Sequence, residues 1–151
     1  MKKYDFYLAH PLLLRKIIRP IELAIEAEYE VDIFNPFYDV FRQEIHDIDN
    51  GKSNEYSAKF DHIEIVETDL FHLRNSKNLL CIVEEKQSIG THCEMWDSVR
   101  DKRPIYIIAT AHYNHPWLIY AYKKTGGNLH TNWNDFIEKV IKKQYKKEEY
   151  K

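Results

Sequence analysis

The chain has 151 residues, 44% of them hydrophobic, which is enough for one domain with a core of its own. A formal net charge of −2 and a pI of about 6.4 exclude the basic footprint of a nucleic-acid or anionic-membrane binder, leaving a small molecule or the protein itself as the expected partner. With only two cysteines, Cys81 in an apolar run and Cys93 beside Glu94, a disulfide scaffold is excluded and a reducing cytoplasm is the expected compartment.

Asp5, His10 and Pro11 interrupt the apolar stretch that a signal peptide needs, and no later run reaches the length of a membrane span. The aromatic and apolar segment 4–9 predicts a buried first strand ending at His10-Pro11. Residues 12–28 predict a helix with Leu13, Ile17, Ile21, Leu23 and Ile25 at helical spacing, kinked or restarted at Pro20. Residues 29–34 predict a second strand, and 37–54, with D-I-D-N-G at its centre, an irregular lid or crossover. A second amphipathic helix is expected over 57–73, burying Phe60, Ile63, Ile65, Val66, Leu70 and Leu73. Then come a strand at 79–83, a helix at 91–100, a strand at 105–109, a short strand at 128–130 and a helix from 133 to about 145. This alternation argues a single-domain α/β fold over 1–145, a doubly wound, flavodoxin-like or Rossmann-like parallel sheet of about five strands flanked by helices. Residues 146–151 read as a charged tail, solvated or fraying from the last helix.

Several chemistries lose their support on motif grounds. The chain lacks a Walker A loop, a G-x-G-x-x-G turn and a G-x-S-x-G elbow. The D-I-D-N-G segment resembles a calcium loop, but its glycine falls one position early and Ala58 stands where the bidentate glutamate belongs. His112 and His115 have no cysteine or carboxylate at ligand spacing, and the adjacent His92 and Cys93 diverge on a helix, so neither a zinc site nor a Cys-His pair is expected. No metal and no organic cofactor is implied.

What survives is residues 88–94, S-I-G-T-H-C-E, which follow an apolar strand and open a helix. That is where ligands bind in open α/β sheets, beside backbone amides that favour anions. Thr91 to Glu94 also matches a capping box, in which the glutamate merely reaches back to the Thr91 amide; taken alone, this is the commoner reading.

The wider pattern resembles the nucleoside 2-deoxyribosyltransferase family, with the related 2′-deoxynucleoside 5′-monophosphate N-glycosidases. The resemblance rests on F-Y-L-A-H-P in the first strand, F-N-P after the second, D-L-F-H-L-R-N-S-K before the third and S-I-G-T-H-C-E at the third helix, with K-R-P-I-Y-I-I as a weaker fifth match. It implies cleavage of the N-glycosidic bond of a 2′-deoxynucleotide or 2′-deoxynucleoside. Glu94 matches the catalytic glutamate, Asp69 the aspartate that contacts the base and helps protonate its departing nitrogen, and Tyr7 the first-strand tyrosine near sugar and nucleophile. Ser88 stands where transferases tend to carry aspartate and monophosphate hydrolases serine, so with Gly90 and Thr91 it is the expected phosphate or sugar-hydroxyl site, and hydrolysis is favoured over transfer. The resemblance also implies a homo-oligomer, and the aromatic segment Y-N-H-P-W-L-I-Y-A-Y is the candidate interface, with core packing as the alternative.

The same chemistry follows from the residue types. Breaking an N-glycosidic bond builds positive charge on the sugar and negative charge on the base, so one carboxylate must face the anomeric carbon and an acid the base. Three departures set the chain apart: His10-Pro11 in place of small residues, which makes His10 a candidate ligand contact, Met95-Trp96 after Glu94, and Lys77 for a common aspartate. His10 and Met95 keep open a non-catalytic nucleotide-binding sensor module, and a helix-borne glutamate in such a sheet also suits a glycohydrolase of NAD or a related signalling nucleotide.

Overall fold

The computed structural model describes residues 2–39, 42–50 and 60–149. Five parallel strands lie in the order β2-β1-β3-β4-β5, with β1 at Tyr4–Ala9, β2 at Ile33–Phe34, β3 at Ser76–Val83, β4 at Ile105–Ala109 and β5 at Asn128–His130. The helices are α1 (Arg15–Glu28), α2 (Gln43–Asp49), α3 (His62–Arg74), α4 (Ile89–Arg100), α5 (Pro116–Thr125) and α6 (Trp133–Phe136). From α6 the chain runs on as a π turn over Ile137–Ile141 and a last helical turn, α7, at Lys142–Gln144. The doubly wound parallel sheet expected from the sequence is present.

The two-residue side-chain period of a strand divides the core into two layers. Phe6, Leu8, Leu80, Ile82, Tyr106 and Ile108 face α1 and the α6 region, packing on Ile18, Ile25, Phe136 and Val140. Tyr7, Ala9, Leu79, Cys81, Ile105 and Ile107 face the opposite way, onto Leu73 of α3, Met95 of α4 and Leu118 and Ala121 of α5. Continuous apolar strands buried on both faces are what a parallel sheet demands.

Several expectations are corrected. A short 3₁₀ turn at Leu12–Leu14 precedes α1, which runs unbroken through Pro20. Its buried face is Arg15, Ile18, Glu22 and Ile25, while Leu13, Ile17 and Leu23 are exposed. The misassignment arises because Glu22 counts as polar in a periodicity reading, yet here it accepts hydrogen bonds from Asn35 Nδ2 at 2.7 Å and Arg19 Nη1 at 3.1 Å, which make its burial tolerable. The second strand shrinks to Ile33–Phe34, because Tyr29 instead bridges Lys147. The expected lid holds a 3₁₀ turn at Pro36–Tyr38 and helix α2; its last residues, 51–54, lie outside the described residues. The helix expected from 57 begins at His62, capped by Asp61, with Ile63 and Val66 exposed and Leu73 buried; residues 57–59 lie outside the described residues. The tail does not simply fray: Glu30 N donates to Lys146 O, and Glu148 N to Glu28 O, both at 2.8 Å. Among the described residues no helix is long and apolar enough to cross a membrane.

Candidate active site

Strand order alone selects a location. The chain leaves β1 for the edge strand β2 and then crosses back to β3 on the other side of β1, so the crevice between the carboxyl ends of β1 and β3 is the topological switch point. Three residues of the expected site converge on that crevice from three elements. Tyr7 points from β1 toward the α3 and α4 layer and is wholly buried. Glu94 lies one turn from both Thr91 and Ser98, on the edge of the face that α4 buries. Asp69 precedes Leu73 of α3 by one turn, on the side of that helix turned to the core.

Their electrostatics register the convergence. Burial pushes the Glu94 carboxyl from its ordinary 4.5 up to about 8; the Tyr7 hydroxyl and Arg42 pull it back toward ionisation, and Asp69 and Asp97 push against it. Burial, Glu94 and Asp69 hold the Tyr7 phenol well above its ordinary value. Tyr7 Oη and Glu94 Oε2 are buried, and neither completes a hydrogen bond of full geometry, although the hydroxyl is close enough to favour the charged carboxylate. Part of the Glu94 side chain stays open to solvent while that oxygen is closed off. Native structures rarely leave such groups without a partner, and a ligand, catalysis or an ordered water supplies the explanation.

The capping-box reading of Glu94 is overturned. Helix α4 starts two residues earlier than expected, with Ser88 as its N-cap, and Ser88 Oγ accepts the Thr91 amide at 3.3 Å. Glu94 therefore sits in the second turn, free of the cap. A hydroxyl that accepts from an amide still has its own proton to donate, so Ser88 can cap and bind at once. The Thr91 amide is occupied by Ser88, and Thr91 Oγ1 is buried without a partner. A methyl group built on Gly90 would lie 3.8 Å from Glu94 Oε1 and 4.0 Å from Ser88 Oγ, so the bare glycine leaves one open spot between carboxyl and hydroxyl.

His10 goes elsewhere. Its ring is buried, with Nε2 3.0 Å from Asn35 Oδ1, Nδ1 3.0 Å from the Pro11 carbonyl and its face against Phe37. It buttresses the loops after β1 and β2, and burial lowers its pKa. Cys81 is fully buried and its thiol is held well above the ordinary range by burial and by Glu94, so it is no nucleophile. Among the described residues no group of three or more His, Cys, Asp or Glu side chains is arranged to hold a metal ion.

Sequence reasoning missed one member of the site. Arg42, at the N-cap of α2, is buried and places Nη1 2.7 Å from Asp69 Oδ1. No local pattern marks it, since its partner lies on another helix and the stretch between them includes residues with no periodic signature.

A solved structure of the 2-deoxyribosyltransferase from the psychrotolerant bacterium Bacillus psychrosaccharolyticus superposes with a TM-score of 0.60, over 95% of this chain and 98% of that one, at 15% sequence identity. The fold is that of a 2-deoxyribosyltransferase. That enzyme is described as a biocatalyst for the synthesis of antiviral and antitumoral nucleosides. No family model matches the sequence, and no curated protein matches it. At this identity the likeness fixes the 2-deoxyribosyltransferase-like architecture across nearly the whole chain, and the chemistry has to be argued from the crevice between β1 and β3.

Proposed function

We propose that the protein is an enzyme that cleaves the N-glycosidic bond of a 2′-deoxynucleotide or 2′-deoxynucleoside, with water as the favoured acceptor. The observation that carries this reading is the pair of buried, unsatisfied oxygens, Tyr7 Oη and Glu94 Oε2, meeting at the switch point of a deoxyribosyltransferase-like fold. Ionised Glu94 attacks the anomeric carbon. A bond from Oε to that carbon forms as the carbon–nitrogen bond breaks, and its electron pair leaves on the base. Asp69, ionised beside Arg42, contacts the base and relays to its departing nitrogen a proton drawn from water. Water then attacks the same carbon as the bond to Glu94 Oε breaks, its proton replaces the one the base took from solvent, and the deoxyribose product leaves; a second base in place of water gives transfer. Tyr7 orients the carboxylate and favours its charged form.

Ser88 Oγ and the open space over Gly90 form the subsite for a 5′-phosphate or a sugar hydroxyl, at the N-terminus of α4 where the helix dipole favours an anion. This favours a 5′-monophosphate substrate. The exposed aromatic surface of Trp117, Tyr120 and Tyr113, continuous with Trp96, supports self-association.

The test is chromatographic detection of free base from deoxynucleosides, their 5′-monophosphates, the ribonucleotide counterparts and NAD, with and without an added second base, for wild type and Glu94→Ala. Release from deoxynucleoside monophosphates that disappears in the variant is the expected result. Exchange only with added base makes the enzyme a transferase, nicotinamide release moves the substrate to NAD, and tight binding without release makes the protein a sensor module.

A further inference from the structure

A buried arginine is costly unless its charge is paired and its donors are used. The Arg42 side chain is only 6% exposed, and it spends that burial at the candidate active site. Its guanidinium reaches Asp69 Oδ1 at 2.7 Å, lies 3.4 Å from the Pro36 carbonyl and stands 6.0 Å from the centre of the Phe37 ring. The turn after β2 and the start of α2 thus hold a cation against α3. The groups acting on Glu94 are Tyr7 from β1, Asp69 from α3, Asp97 from its own helix and Arg42 from α2, and Glu94 in turn acts on Cys81 of β3. Two carboxylates facing one small site resist being charged together, so a cation that touches one and acts on the other changes what both can do.

We infer that Arg42 is a positioning residue of this site: it fixes the Asp69 carboxylate beside the leaving base and supplies the positive charge that lets Glu94 and Asp69 be anionic at once. This rests on the glycosidic-cleavage reading given above. A plain structural staple between α2 and α3 would need no such charge, and the two alternatives separate experimentally.

Base release is measured against pH for wild type, Arg42→Gln, Arg42→Lys and the double variant Arg42→Gln/Asp69→Asn. Arg42→Gln is expected to lower kcat by about a hundredfold with little change in KM. Its acid limb moves upward by about one pH unit, because the neighbouring cation favoured the ionised nucleophile. Arg42→Lys keeps the limb near its wild-type position and recovers part of kcat, since an ammonium retains the charge but not the planar fork. Adding Asp69→Asn to Arg42→Gln moves the limb back down. An unmoved limb in Arg42→Gln, or a lysine variant no better than the glutamine one, overturns the inference in favour of a staple.

A second readout needs no turnover. In protein carrying ¹³C at the glutamate side-chain carboxyls, with the Glu94 signal assigned by Glu94→Gln, the Glu94 titration midpoint should rise in Arg42→Gln and fall in Asp69→Asn alone. If wild type releases no base at all, the functional reading fails, while this titration still decides the role of Arg42. If Arg42→Gln does not fold by circular dichroism, Arg42→Lys and Asp69→Asn decide it instead: a midpoint that does not fall in Asp69→Asn overturns it.

Discussion

At Glu94 the demands of chemistry and of stability point in opposite directions. The nucleophile proposed for base release must be ionised, yet burial lifts this carboxyl to about 8, so at neutral pH the free protein holds it mostly protonated. The expected consequence is a kcat/KM for base release that climbs with pH and levels off above about 8, read from initial rates across the pH range. Folding feels the same group with a definite sign. A carboxyl that binds its proton more tightly when folded contributes its full stability below the ordinary value of 4.5, and that contribution is lost as pH rises toward 8. Glu94→Gln removes the titrating group, so the variant should gain on wild type by roughly 3–5 kcal/mol between pH 4 and pH 9, while losing base release. Urea unfolding at the two pH values checks this; equal gaps at both would mean that the carboxyl is not held as the structure places it. That Glu94, Asp69 and Tyr7 would come together was legible in the sequence because each sits in a short motif of recognisable order. Arg42 was not, because its contact with Asp69 joins α2 to α3 and no local spacing encodes it. His10 was legible as unusual, but whether it faced a ligand or a loop depended on Asn35, on a different strand end.

At the scale of the element, helix α4 shows why one serine can be read two ways. Ser88 ends the extended backbone after β3 and caps the Thr91 amide, which starts the helix and presents Glu94 one turn further on. Substitution separates the two roles. Ser88→Ala loses both the cap and the hydroxyl, and should cost about 1 kcal/mol in denaturant unfolding. Ser88→Asp keeps a good cap and adds negative charge, so stability should hold while kcat/KM for a deoxynucleoside monophosphate falls at least about tenfold relative to the unphosphorylated nucleoside. If both substrates fall equally, Ser88 serves the helix and not a phosphate. The elements themselves were legible in proportion to how far burial followed simple periodicity. Strands β1, β4 and β5 lie where the apolar runs place them, whereas the buried faces of α1 and α3 were misread because Arg15 and Glu22 are inside and Ile17, Ile63 and Val66 are outside. A polar residue enters a core when distant partners satisfy it, and those partners are a property of the fold.

For the whole molecule, the open question is what covers the outer faces of α4 and α5. Trp96 packs edge-on against Trp117 with ring centres 4.9 Å apart, and lies nearly parallel to Tyr120 at 6.1 Å. Trp117 is 61% exposed, Tyr120 47% and Tyr113 49%, so three large rings face outward around the first turns of one short helix. The inner face of that helix, through Leu118 and Ala121, already packs on the sheet, while the aromatic face meets Trp96 and otherwise stays open. Core packing therefore accounts for one side of the segment, and the other is the surface on which the proposed association would rest. Aromatic surface of this kind is worth most when buried centrally in an interface. Sedimentation velocity should accordingly find a dimer or larger assembly, and Trp117→Glu should shift it toward monomer with an unchanged far-ultraviolet spectrum, because a charge cannot be buried there without a partner. The same variant also reads whether the assembly completes the site: base release that falls as the monomer forms, and returns at high protein concentration, would mean that a neighbouring copy helps to close the crevice beside Glu94. Activity that ignores the dissociation would mean that each chain carries a whole site between β1 and β3.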